Sequence, residues 1–186
     1  MNAMIISLRN FLLLLGTLMT LAVAAPALAL NESQLDQDID AALKALYSSS
    51  PVAKALSEKA TGILVFPNIV KAGFIVGGLG GDGALIKHGK KVAYYNTAAA
   101  SVGMQAGVQT YGFAIFFLDN KTLADFEKSK GWELGVGPSL VVVDTGFGKD
   151  VNTLTGKNEV YAFIFDQKGL MAGIGLQGTK ITKLSH

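Results

Sequence analysis

The sequence predicts an α+β fold in which N-terminal helices pack on a strongly curved, mainly antiparallel, glycine-rich sheet or small barrel with one inserted helix. A change in hydrophobic period supports this prediction. Up to about residue 60, apolar residues recur every three or four positions, which is typical of amphipathic helices. From Thr61 onward, apolar residues alternate with glycine or polar residues, and a period of two is typical of strands.

Two helices are expected at the start of the globular part. Asn31 can cap the first, with Gln34 as its capping-box partner. Its apolar stripe has helical spacing: Leu35, Ile39, Leu43 and Leu46. Ser50 and Pro51 predict a second, short helix, because serine is a favourable cap and proline suits the first helical position.

The remainder predicts about eight strands and one more helix. Residues 113–118 and 161–165 are continuously apolar, so both faces of these strands are expected to be buried. Glycine takes alternate positions in three other segments: 102–109, 132–137 and 170–176. Such strands can bend sharply or admit another backbone. The inserted helix is expected to begin at Asp119 and to end at Gly131.

Residues 1–29 have the three-part order of a secretory signal peptide. Arg9 precedes an apolar run, and Ala27 and Ala29 supply the small residues of a cleavage site. The run is short for a membrane span, although an uncleaved N-terminal anchor is the alternative. We therefore expect cleavage near Ala29, a single mature domain over residues 30–186, and a periplasmic or secreted protein that can lie peripherally on a membrane.

Composition narrows the function classes. The chain has no cysteine, so neither disulfides nor thiol nucleophiles are available. Its net charge is +2, and its one arginine, Arg9, lies in the signal peptide. A near-neutral domain without arginine lacks the usual means of binding phosphate backbones, so no nucleic-acid partner is expected.

The residues give little support for catalysis. Only His88 and His186 are present, which provides neither a Ser-His-Asp arrangement nor a zinc site. The glycine pattern at 78–83 matches a nucleotide-binding motif in letters, but the segment after it resembles a strand, so a β-turn is predicted instead. We therefore expect a protein without enzymatic activity that binds neither a cofactor nor a metal ion. A hydrolase using two carboxylates remains a weaker alternative, with these candidates: Glu133, Asp144, Asp150 and Asp166.

A basic cluster is the first candidate binding feature. Lys87, Lys90 and Lys91 surround His88 and Gly89, which are expected to form an exposed hairpin turn. Each lysine near an anionic membrane contributes about 1 kcal/mol. The alternative is a turn whose lysines serve only solubility. The first helix instead carries three aspartates, which disfavours its direct insertion into anionic lipid: Asp36, Asp38 and Asp40.

Several motifs in a fixed order resemble the SYLF domain family from about residue 53 to residue 184. They are GILVFP at 62–67, VKAGF at 70–74, YYNTA at 94–98, VGPS at 136–139 leading to VVVD at 141–144, YAF at 161–163 continuing to Gly169 and Leu170, and GIGLQGTKI at 173–181. The resemblance implies a β-rich lipid-binding domain. Lys71 and Lys180 match motif positions and join the tip lysines as candidate lipid contacts.

The same resemblance raises the question of which partner the domain binds. Eukaryotic members of the family bind phosphoinositides, and yeast relatives bind actin. Export of this chain argues against actin, and the acidic first helix departs from the basic amphipathic helix of lipid-binding eukaryotic members. We therefore expect a non-enzymatic domain that binds anionic phospholipid at the bacterial cell envelope. The alternative is a protein–protein interaction or structural module of the envelope without a lipid ligand.

The predicted signal peptide can be tested by expressing the complete chain in a secreting bacterium. The purified protein should begin at Leu30, because signal peptidase accepts only small side chains just before the cut. Mass spectrometry of the N-terminal peptide measures this. The Ala29→Phe variant should keep residues 1–29, whereas a wild-type protein that retains Met1 would contradict the prediction.

Overall fold

The described residues form three helices and six strands. The computed structural model describes residues 31–129, 131–133, 140–144, 159–169 and 178–185. In chain order the elements are α1 (Glu32–Ser49), α2 (Pro51–Ser57), β1 (Gly62–Lys87), β2 (Lys90–Phe117), α3 (Asn120–Lys128), β3 (Trp132–Glu133), β4 (Leu140–Asp144), β5 (Val160–Gly169) and β6 (Lys180–Lys183). The expected signal peptide, the glycine segments at 134–137 and 170–176, and the motif at 136–139 lie outside the described residues.

All three helices begin where the sequence predicts. Each N-cap side chain accepts a hydrogen bond from the backbone N–H three residues later, at 3.2 Å for Asn31, 3.2 Å for Ser50 and 2.8 Å for Asp119. That hydrogen bond holds the pKa of the Asp119 carboxyl below its ordinary value. Helix α3 ends before the predicted Gly131, because the backbone N–H of Ser129 already donates to a carbonyl of the last turn.

Strands β1 and β2 form one long antiparallel hairpin instead of the several short strands predicted. Pairing runs from Gly62 opposite Phe117 to Lys87 opposite Lys90. Pro67 lies at a shift of register within β1. A proline is tolerated there because β1 is an edge strand that pairs only with β2 among the described strands, and the bulge accommodates its missing N–H.

The hairpin doubles back on itself, so the later half of β1 lies against its own first half. A Cβ added at Gly81 would lie 2.8 Å from the carbonyl oxygen of Asn68. A Cβ added at Gly83 would overlap the carbonyl oxygen of Val65. The two halves therefore approach backbone to backbone, and only glycine leaves room for this contact.

The predicted β-turn at residues 78–83 is wrong, because this segment is continuous strand within β1. The strand changes direction earlier. A Cβ added at Gly73 would lie 2.6 Å from the Cα of Gly77, and the pairing register shifts between Phe74 and Val76. A bulge flanked by glycines is a common means of bending a strand sharply.

The strands form one open, strongly curved sheet. Its order is β3-β6-β2-β5-β4, with β1 paired to β2 as well. Neighbouring strands are antiparallel except for β4 and β5, which are parallel. Within the described residues the path ends at β3 and β4 without closing, so the curved sheet is the correct one of the two predicted architectures. The predicted α+β class is confirmed.

Apolar side chains cover both faces of the sheet where β2 pairs with β5. One face contributes to a core that α3 covers. The ring of Phe126 in α3 has its centroid 5.0 Å from that of Phe117 and 5.6 Å from that of Trp132. The other face packs near α1, whose buried side chains are Leu35, Ile39 and Leu46. Residues 113–117 and 161–165 are buried throughout, as predicted, whereas Leu118, the last residue of the first predicted segment, is only partly buried. Burial raises the pKa of Tyr95 and Tyr111 to about 12.

Among the described residues, no helix is both long enough and apolar enough to cross a membrane.

The close approach at Gly83 predicts a large loss of stability in the Gly83→Ala variant. The new methyl group would overlap the Val65 carbonyl, and such overpacking costs about 1–3 kcal/mol. Gly80→Ala is the matched control, because its nearest neighbour would lie at an ordinary 3.7 Å. Urea unfolding should show Gly80→Ala within about 0.5 kcal/mol of wild type. Equal stability of the two variants would contradict the folded-back hairpin.

Candidate functional site

The end of the β1–β2 hairpin brings three of the predicted lysines together. His88 and Gly89 form the turn, with φ values of 51° and 75°. Positive φ at both central residues is typical of a type I′ turn, which matches the twist of the flanking strands. Lys87 and Lys90 lie directly opposite each other, and Lys91 follows in β2. We call residues 87–91 the hairpin tip. The predicted tip at His88 and Gly89 is confirmed.

Lys87 is held by the inserted helix. Its Nζ donates to both carboxylate oxygens of Glu127 in α3, at 3.1 and 3.0 Å. About a third of each side chain is exposed, so the pair lies at the protein surface. This contact joins the tip to α3 and offsets one of its positive charges.

Lys91 is held by the first helix. Its Nζ lies 2.7 Å from Oδ1 of Asp40 and 4.0 Å from Oδ1 of Asp36. The Tyr94 hydroxyl donates to Asp36 at 3.1 Å, and desolvation together with this carboxylate raises the pKa of Tyr94. Asp36 and Asp40 are one helical turn apart and therefore share a face of α1. The lysine side chain is only 17% exposed, so it is directed toward the helix.

The other candidate lysines differ in environment from these two. Lys90 is exposed and forms no ion pair with any residue that the structure describes. Lys71 is buried in the other half of the folded-back β1, opposite Gln109. Lys180 is exposed in β6, where it pairs with Ala98 and Glu133 across the sheet. The structure thus groups Lys87, Lys90 and Lys91, and it does not bring Lys71 or Lys180 into that group.

An open groove of about 570 Å³ lies beside the tip. It is lined by the start of α1, the start of β2 and the end of the chain: Glu32, Lys91, Val92, Ala93, Tyr94, Lys183, Leu184 and Ser185. Lys183 is a cation that sequence reasoning missed. No motif of the sequence marks Lys183 as a binding residue. The structure places it in β6, opposite Tyr95. The groove thus combines two lysines, the carboxylate of Glu32 and apolar side chains.

A small apolar area lies on the outer face of the bend in the hairpin. Val70 and Val108 are 41% and 57% exposed. Ala72 is directly opposite Val108 and is also exposed, so the three side chains share one face. Apolar surface of this kind is suited to contact with another protein.

The carboxylates considered for hydrolysis are dispersed among different elements. Asp166 pairs with Lys168 at 3.0 Å, Glu133 lies in β3, and Asp144 ends β4. Asp150 lies outside the described residues. Among the residues that the structure describes, no three His, Asp or Glu side chains form a group that could hold a metal ion.

Comparison with protein-family models matches residues 98–185 to the family described as Ysc84, Las17-binding protein actin regulator. This match confirms the resemblance to the SYLF family, for which Ysc84 is the model. The matched segment contains Glu127 and Lys180 but begins after the hairpin tip. No curated protein matches the chain.

The pair between Lys87 and Glu127 predicts a measurable coupling energy. A double-mutant cycle with Lys87→Ala and Glu127→Ala should give about 0.2–1 kcal/mol, as other exposed ion pairs do. The coupling should fall in high salt, because screening weakens exposed pairs. Lys90→Ala is the control and should be additive with Glu127→Ala. Urea unfolding measures the three single and the two double variants against wild type, and additivity of the Lys87 pair would contradict the contact.

Proposed function

We propose that this protein, whose residues 98–185 match the Ysc84 (SYLF) family model, is a non-enzymatic domain that binds anionic phospholipid at the bacterial cell envelope. The observation that carries the proposal is the grouping of Lys87, Lys90 and Lys91 at one exposed turn. Helices α1 and α3 lie on either side of the tip, but His88, Gly89 and Lys90 are exposed and can face a membrane surface.

The proposed contact is electrostatic and reversible. Three lysines near an anionic surface contribute about 1 kcal/mol each, which together raise affinity about 100-fold. Lys90 is the lysine most accessible to a phosphate, since Lys87 and Lys91 also contact carboxylates. The neighbouring groove adds Lys183 and the half-exposed Val92, which suits a headgroup and the first part of an acyl chain.

Location follows from the predicted signal peptide. Export past residue 29 would bring the domain to the periplasm or the exterior, where anionic phospholipids are membrane constituents and actin is absent. We therefore propose a peripheral protein of an envelope membrane.

A second candidate is an interaction module for another envelope protein. The exposed valines Val70 and Val108 favour it, because together with Ala72 they form a contiguous apolar area on one sheet face, and such areas can mark protein contact sites. Crosslinking in intact cells should then capture a partner that the Val70→Thr/Val108→Thr variant loses. This candidate becomes the better one if the protein does not bind vesicles.

Vesicle co-flotation tests the lipid proposal. Protein purified after expression of the complete chain should float with vesicles containing anionic phospholipid at low salt, and less at moderate salt. The Lys87→Gln/Lys90→Gln/Lys91→Gln variant should lose about 100-fold in affinity. Glutamine is chosen because it does not place a new carboxylate beside Asp36 and Asp40.

The matched control removes three exposed lysines from the helical part of the chain: Lys44, Lys54 and Lys59. This Lys→Gln triple variant has the same net charge as the tip variant and should float like wild type. Equal loss in both variants would show a general charge effect and would contradict a site at the tip. Absence of wild-type flotation under every condition would overturn lipid binding itself.

A further inference from the structure

The carboxylates that contact the hairpin tip come from two separate helices. Asp36 and Asp40 of α1 lie at Lys91, and Glu127 of α3 lies at Lys87. Three carboxylates therefore face a tip of three lysines, and the local charge is close to balanced. A tip that served only solubility would not require acidic partners from both sides.

The tip is held by surface contacts that can separate without opening the core. The Asp40 side chain is 69% exposed and that of Asp36 is 38% exposed. Their neighbours Leu35 and Ile39 are buried, so packing of α1 fixes where the carboxylates stand. Lys91 could swing away from Asp40 by side-chain rotation alone, while the helix and the strand remain in position.

We propose that these carboxylates form an autoinhibitory latch that withholds Lys87 and Lys91 from an anionic surface. The inference rests on the lipid binding proposed above. Of the three tip lysines, only Lys90 is exposed and has no ionic partner among the described residues in the latched state. An anionic membrane competes with Asp36, Asp40 and Glu127 for the two lysines. A sufficiently dense anionic surface wins this competition and recruits the complete tip.

The latch thus makes the domain selective for surface charge density. A single anion in solution replaces one carboxylate with another charge of similar strength and gains little. A membrane presents many phosphates to all three lysines at once, so its combined attraction exceeds that of the three carboxylates. Weak binding at low anionic content and a steep rise at higher content are the expected behaviour.

The test opens the latch by Asp40→Asn/Glu127→Gln. Loss of two partly exposed ion pairs should raise affinity for anionic vesicles about 3- to 10-fold. The matched control is Asp38→Asn/Asp125→Asn, which removes one carboxylate from each of the same helices. Asp38 accepts a hydrogen bond from Gln34, and Asp125 pairs with Lys121, so neither contacts the tip. Both variants have the same net charge, and therefore a difference between them reports the latch.

A second measurement does not depend on lipid. In the wild-type protein, an amine-reactive reagent should modify Lys90 faster than Lys87 and Lys91, as quantified by peptide mass spectrometry. In the latch-open variant the rates at Lys87 and Lys91 should rise toward that of Lys90. The control variant should keep the wild-type order.

The outcomes distinguish the two proposals. The latch is supported if the latch-open variant, but not the control variant, shows faster labelling of Lys87 and Lys91 and stronger flotation. Faster labelling with flotation equal to that of the control overturns autoinhibition and leaves lipid binding intact. Unchanged labelling shows that no latch exists in solution. If no variant floats, lipid binding is overturned together with the inference, whatever the labelling shows.

Discussion

The contact on which the rest of this structure depends is the backbone-to-backbone approach within β1. Gly81 and Gly83 lie against the carbonyl groups of Asn68 and Val65, and the hairpin can double back only because no side chain occupies that space. Doubling back places apolar residues from both halves of the hairpin in one core, among them Phe66 and Leu85. A chain without cysteine relies on such burial for its stability.

The same reversal sets the position of the hairpin tip. A straight hairpin of strands this long would carry residues 87–91 far from the helices. In the folded-back form, the tip lies between the N-terminal half of α1 and the inserted helix α3, where Lys91 meets Asp40 and Lys87 meets Glu127. The electrostatic environment of the tip is therefore a consequence of how the sheet bends, and not of the residues next to the lysines in the chain.

This arrangement separates two properties of a basic cluster. The number of lysines sets the greatest attraction that the tip can exert on an anionic surface. The carboxylates from α1 and α3 set how much of that attraction is expressed in solution. The acidic residues of α1 argue against insertion of this helix into a membrane, and in the folded protein they also neutralise a neighbouring strand. An acidic helix and a basic hairpin are thus parts of one surface.

The sequence by itself determined the local structure. Capping chemistry predicts the helix starts at Asn31, Ser50 and Asp119, and turn preferences predict the His88–Gly89 turn. Hydrophobic period predicts the two buried strands at 113–118 and 161–165, of which only Leu118 is partly exposed. All of these effects act over a few residues. The ordered motifs also predicted the resemblance to the SYLF family, and a family model matches residues 98–185.

Only the tertiary structure decided that Pro67 lies at a bulge and that residues 78–83 form part of a strand. Segments that contain glycine or proline can adopt several backbone conformations, and pairing with β2 selects among them. The ion pairs of Lys87 and Lys91 likewise join residues about 40 to 50 positions apart. No local pattern encodes such contacts, because they exist only once the sheet has folded back on itself.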